Sequence, residues 1–120
     1  MKYMIMTFGE AATMLETQSK DWITEMIEFM RTLDEDLREA GELVDAQGLT
    51  DGRQATTVRF SDGLSVATDG PYAEAKESLV GYWIVDVEDE ARAIAIATRI
   101  VDFVHAPIEV RRVADGPPEV

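Results

Sequence analysis

The segment from Trp22 to Ala40 limits most tightly what this chain can become. Trp22, Met26, Met30, Leu33, Leu37 and Ala40 recur at spacings of three and four, with Ile23, Ile27 and Phe29 widening the stripe. Glu25, Glu28, Arg31, Asp34, Glu35 and Glu39 lie between them. That period is one apolar face on an α-helix of about six turns. Ser19 offers an N-cap hydroxyl, Asp21 puts negative charge at the positive helix end, and Gly41 is suited to the left-handed residue that closes a helix. A helix with one apolar stripe must lie on something flat and apolar.

The flanking segments provide it. Residues 3–8 alternate, with Met4, Met6 and Phe8 on one side and Tyr3, Ile5 and Thr7 on the other, which predicts an interior strand apolar on both faces. Residues 42–49 predict a second, short strand. Residues 56–60 and 64–68 are β-branched and alternating around Ser61-Asp62-Gly63, a hairpin whose turn needs positive φ. Asp69-Gly70-Pro71 ends it, because Pro71 has no N–H to donate. Residues 73–79 suit a helical turn or an irregular edge. Residues 81–87 form another two-faced strand, and Glu88, Asp89 and Glu90 mark the start of a second helix. That helix is expected to turn Ala91, Ile94, Ala97, Ile100 and Val101 inward and Arg92 and Arg99 outward. Pro107 opens the last strand, residues 108–113.

The order is β-α-β, a hairpin insert, then β-α-β. It predicts an α+β domain of the ferredoxin-like, split βαβ kind over residues 1–113, with both helices on one face of an antiparallel sheet and a loose tail at 114–120. The other sheet face should carry Met4, Met6, Trp83 or Tyr82, and Ile108 or Val110. A patch of that kind is rarely left in water, so a homodimer packed sheet to sheet is expected.

Charge excludes some partners. With 24 acidic against 11 basic residues the formal net charge is −13. Such a surface repels nucleic acid and anionic membranes. No run approaches the roughly 20 apolar residues of a membrane helix, and the apolar start breaks off at Gly9-Glu10 as a strand does. The chain has no cysteine, which removes disulfides and thiolate chemistry and suits a cytoplasmic location. No spacing suggests a metal site or a cofactor loop.

One segment concentrates mixed polar chemistry: Thr68-Asp69-Gly70-Pro71-Tyr72-Ala73-Glu74-Ala75-Lys76-Glu77. With Met1-Lys2-Tyr3-Met4, Gly48-Leu49, Gly81-Tyr82 leading into Ile84-Val85-Asp86-Val87, and Ile108-Glu109-Val110-Arg111, it resembles the DGPF branch of the YCII-related family, from Met1 to about Val113. The resemblance implies a ferredoxin-like fold assembling as a dimeric α+β barrel. In the wider family a His and an Asp are held to suggest enzymatic activity, and some relatives act on chlorinated muconolactones. The single histidine of this chain is His105, just before the last strand. In the DGPF branch neighbouring genes often encode alternative sigma factors, which implies a regulatory link.

Each candidate residue has a plain reading beside the functional one. Asp69-Gly70-Pro71 is a turn, or Asp69 is a general base at a cavity mouth, with Glu74 and Lys76 tuning its charge. Tyr72 is a lid or a packed ring. Tyr3 is a core tyrosine or a ligand hydroxyl, His105 a loop residue or a base. Arg111 pairs with Glu109 or Glu42, or clamps a ligand carboxylate. The apolar residues of the first helix are read as core. Two functional readings follow. In one, a cofactor-free enzyme or binder takes a small organic acid into a pocket of Asp69, Tyr72, Glu74 and Lys76. In the other, an interaction module, tied to a sigma-factor-related protein, meets a basic partner.

Overall fold

A computed structural model of the chain describes residues 1–9, 16–72 and 77–119. The elements run β1 (Lys2–Phe8), α1 (Lys20–Glu39), β2 (Leu43–Gly48), a 3-10 turn (Gly52–Gln54), β3 (Thr56–Ser61), β4 (Leu64–Asp69), β5 (Leu79–Asp86), α2 (Glu90–Val104) and β6 (Ile108–Arg112). The caps form as the residue types dictate. Ser19 Oγ accepts from the Trp22 N–H at 3.0 Å, and Asp89 Oδ1 accepts from the Arg92 N–H at 2.9 Å. Gly41 takes φ 72°, and the N–H groups of Gly41 and Glu42 donate to the carbonyls of Arg38 and Leu37. That crossed pair closes α1 as a Schellman motif.

The main sheet has the order β2-β5-β1-β6, with every pair antiparallel. Leave out the β3–β4 insert and this is the ferredoxin-like arrangement. Pairing places side chains in rows across the helix-covered face. One row is Ala46, Trp83, Ile5 and Val110; a second contains Leu43, Val85 and Tyr3. Leu33 and Leu37 of α1 and Ala93, Ile96, Ala97 and Ile100 of α2 join them in one buried core.

Two expectations are corrected here. The buried face of α2 is Ala93, Ile96, Ala97 and Ile100, while Ile94 is half exposed and Ala91 exposed. Arg92, Thr98, Arg99 and Asp102 gather on one side of this helix, largely opposite that buried face, so its polar positions taken together mark the rotation. Contacts secure it: Arg92 grips Glu42 at the start of β2, and Arg99 reaches Asp36 of α1. The open sheet face also differs. Trp83, Ile108 and Val110 point to the helices, so that face holds Met4, Met6, Tyr82 and Ile84, edged by Asp45 and Gln47 on β2 and by Glu109 and Arg111 on β6. It is a narrow apolar band between polar margins.

The β3–β4 hairpin forms its own two-stranded sheet. Asp62 and Gly63 both have positive φ, 51° and 79°, as a two-residue type I′ turn requires. At the root, Gly70 N–H donates to Ala55 O at 2.7 Å and Thr57 Oγ1 donates to Gly70 O at 2.8 Å.

Candidate functional site

A third row on the helix-covered face is built differently. It runs Gly48, Gly81, Thr7 and Ile108, so its centre lacks large side chains. Gly81 is closely surrounded, since a Cβ there would lie 3.2 Å from Gln47 O and 3.3 Å from Thr7 Oγ1. At Gly48 a Cβ would meet nothing within 4 Å. Above this floor passes the N-terminal half of α1. It is tied to α2 by an aromatic stack, Phe29 on Phe103 at 4.8 Å and Trp22 beside Phe103 at 5.6 Å. Between the small-residue floor and this helix lies a cleft of about 1050 Å³, at the upper end of small-molecule sites.

Trp22, Met26 and Met30 form the roof of this cleft, and Phe8, Leu49, Val80, Pro71 and Pro107 are among its apolar walls. Into it faces one carboxylate of α1, Asp34. The indole N–H of Trp83 donates to Asp34 Oδ1 at 2.8 Å. Trp83 is itself fixed in the core, so the bond orients the carboxylate and leaves Oδ2 without a partner among the described residues. The described lining holds no Lys or Arg. Glu77 adds a second carboxylate to the lining, with Gln18, Gln47 and Ser78 among its polar groups. A carboxylate in a mainly apolar cleft, steered by a rigid donor and with no cation beside it among the described residues, is equipped to accept a hydrogen bond or a proton from a bound molecule. Among the described residues no three acidic or histidine side chains converge as metal ligands.

The model of the YCII-related domain matches residues 1–115. The chain belongs to the YCII-related family. It is also 37% identical over 59 residues to an uncharacterized protein, R00369, of Rhizobium meliloti (strain 1021), a match covering 49% of this chain and 48% of that relative. The matched stretch thus spans about half the length of the relative.

In this YCII-related chain the described candidates Asp69, Tyr72, Tyr3, His105 and Arg111 lie on separate segments of the fold. Tyr72 lines the cleft mouth, half exposed, with the Arg59 guanidinium 5.5 Å from its ring centre. Asp69 is exposed at the end of β4, outside the cleft lining, where Gly70 turns the chain with φ 103°. Glu74 and Lys76 lie outside the described residues. Tyr3 is 5% exposed in the core, its hydroxyl against Met1 Sδ. His105 caps α2 in a left-handed conformation, φ 55°, exposed and apart from the cleft lining. Arg111 pairs with Glu109 at 2.7 Å on the open sheet face, and Glu42 belongs to Arg92.

Leu33 and Leu37 are the buried residues of α1, and Phe29 and Met30 pack against the core as expected. Trp22, Met26, Met30 and Asp34 also line the cleft, which was not expected of them. The signal was in the sequence. Positions 22, 26, 30 and 34 continue a single i, i+4 stripe, and the polar character of Asp34 concealed its place on it.

Two further polar pairs frame the sheet. A hydrogen bond from Arg92 holds the Glu42 carboxyl below its ordinary range, burial opposing it and the Arg92 charge adding to it. On the open face Tyr82 donates to Asp45 Oδ2 at 3.0 Å, and this bond, with burial and the Asp45 charge, raises the phenol above its ordinary range.

Proposed function

We propose that the cleft beneath α1 binds a small, mainly apolar molecule bearing an N–H, O–H or acidic C–H group, with Asp34 as the acceptor. Where the bound molecule is acidic enough, the same carboxylate takes the proton, so the reaction class is cofactor-free proton transfer. The observation that carries this reading is the Asp34 carboxylate steered by Trp83 into a mainly apolar cleft. Asp34 and Glu77 in the lining favour a neutral or cationic ligand over an organic acid, because a ligand carboxylate beside them would meet like charge.

Trp22 and Trp83 both line the cleft, so their fluorescence reports binding. Titration with a panel of apolar amines, phenols and carboxylic acids should give a response to the first two classes and little to the third. Asp34→Asn should weaken binding by about tenfold or more, the scale of a charge-assisted hydrogen bond. Gly48→Val adds bulk where there is room and should block the cleft with the melting temperature nearly unchanged. Undiminished binding to both variants would refute the site.

A further inference from the structure

The walls of the cleft bear on the charge its ligand brings. Asp34 engages one oxygen, Oδ1, with the Trp83 indole N–H at 2.8 Å. That bond directs the carboxylate and supplies no positive charge. A neutral donor at Oδ2 would add a second hydrogen bond and still leave the anion without a counter-ion in a mainly apolar wall. A cation supplies both, in a charge-assisted bond roughly twice as strong as a neutral one.

The described lining offers no cation of its own. The two arginines of α2 are held elsewhere: Arg92 by Glu42 at 2.8 Å, and Arg99 by Asp36 at 2.8 Å, with its guanidinium over the Phe29 ring. Arg59 lies over the ring of Tyr72, 5.5 Å from its centre, and is not among the lining residues. Glu77 meanwhile brings a second carboxylate to the lining, and the whole chain carries a formal charge of −13. A cleft lined by one sign of charge, with low-dielectric walls, concentrates ions of the other sign.

The apolar walls suit the same kind of ligand. Trp22, Tyr72 and Trp83 line the cleft together with Met26 and Met30. Indole and phenol rings attract cations to their faces, as the Arg59 guanidinium on Tyr72 illustrates. Methionine side chains adapt to an irregular apolar body. We infer that the ligand of this cleft is an organic monocation, an ammonium on an apolar body, with the ammonium at Asp34 Oδ2 and the body along Trp22, Met26 and Met30. The inference rests on the cleft reading above and narrows it from any N–H or O–H donor to a charged one.

Four probes that share a body and differ in head group test it: phenylbutylamine, phenylbutyltrimethylammonium, phenylbutanol and phenylbutyrate. Isothermal titration calorimetry at neutral pH compares them on wild type and on Asp34→Asn, with near-ultraviolet circular dichroism to check that the tryptophan environments survive the substitution. On wild type the amine should bind about tenfold or more tightly than the alcohol, the scale of a hydrogen bond to a charged group. The carboxylate should bind weakest. The trimethylammonium probe has no N–H and should still bind more tightly than the alcohol, through charge and ring faces. Added salt should weaken the two cations and leave the alcohol nearly unchanged. Asp34→Asn should lower the affinity for the amine far more than that for the alcohol.

An alcohol that binds as tightly as both cations, with Asp34→Asn weakening all three alike, would overturn the assignment of a cation and leave the cleft reading in place. A carboxylate that binds more tightly than the amine would overturn it too. Silence from all four probes, or affinities untouched by Asp34→Asn, would refute the cleft reading itself and this inference with it.

Discussion

The four-stranded sheet and the hairpin arm are written in the same local code and meet opposite fates. Both are built from extended strands, both are antiparallel, and both are punctuated by glycine. In the sheet, Ile5 and Val85 lie wholly buried under the helices; in the arm, Phe60 stands in water. The difference lies in what the rest of the chain supplies. Two amphipathic helices are enough to cover one face of one sheet, and nothing remains for the insert. Alternation therefore fixes the shape of a strand pair, and burial depends on a cover that the pair itself does not encode.

The comparison is broken most severely by truncating one residue in each region. Leu33→Ala opens a cavity between α1 and the sheet, and should cost about 2–5 kcal/mol in denaturant unfolding. Phe60→Ser, measured at a dilution where any dimer has dissociated, should cost no more than about 0.5 kcal/mol. Similar losses at both positions would mean that the arm is packed within its own chain.

A smaller effect is expected at the margin between core and cleft. Asp34→Ala leaves the Trp83 indole N–H without its acceptor, at about 1–3 kcal/mol, whereas Asp34→Asn keeps a carbonyl oxygen in place and should cost less. Denaturant unfolding of the two variants side by side measures the difference.

The smallest effect sits on the rim of the body. The Glu42 carboxyl titrates below its ordinary range in the folded chain because Arg92 hydrogen-bonds to it. Its contribution is therefore present above the unfolded carboxyl pKa and lost as pH falls through the lowered folded value. Arg92 is about half exposed, so water screens the pair and the contribution should stay below about 1 kcal/mol. Melting temperatures from pH 6 down to pH 3, roughly the range in which carboxylates titrate, should fall less steeply in Glu42→Gln than in the wild type.

Much of the frame could be read from the sequence. The caps at Ser19 and Gly41, the Asp62-Gly63 turn and the element order each follow from a local requirement for a particular residue type. Rotation and partnership were less legible. The rotation of α2 emerges only when Arg92, Thr98, Arg99 and Asp102 are weighed together, and Arg92 and Arg99 secure it on acids 50 and 63 positions away. The choice between Tyr82 and Trp83 for the open face was settled by register with β1 and β2. The cleft was hidden for a related reason. Gly48 and Gly81 are ordinary glycines until pairing sets them side by side, and only then does the absence of side chains become a floor.

The measurement closest to the central claim is native mass spectrometry of the protein purified gently from its own host, wild type beside Asp34→Asn. The account predicts a small bound mass on the wild type, lost or much reduced in the variant, with the same oligomeric state in both. A wild type without bound mass that also fails to respond to amines and phenols, or an adduct retained in full by Asp34→Asn, would contradict it.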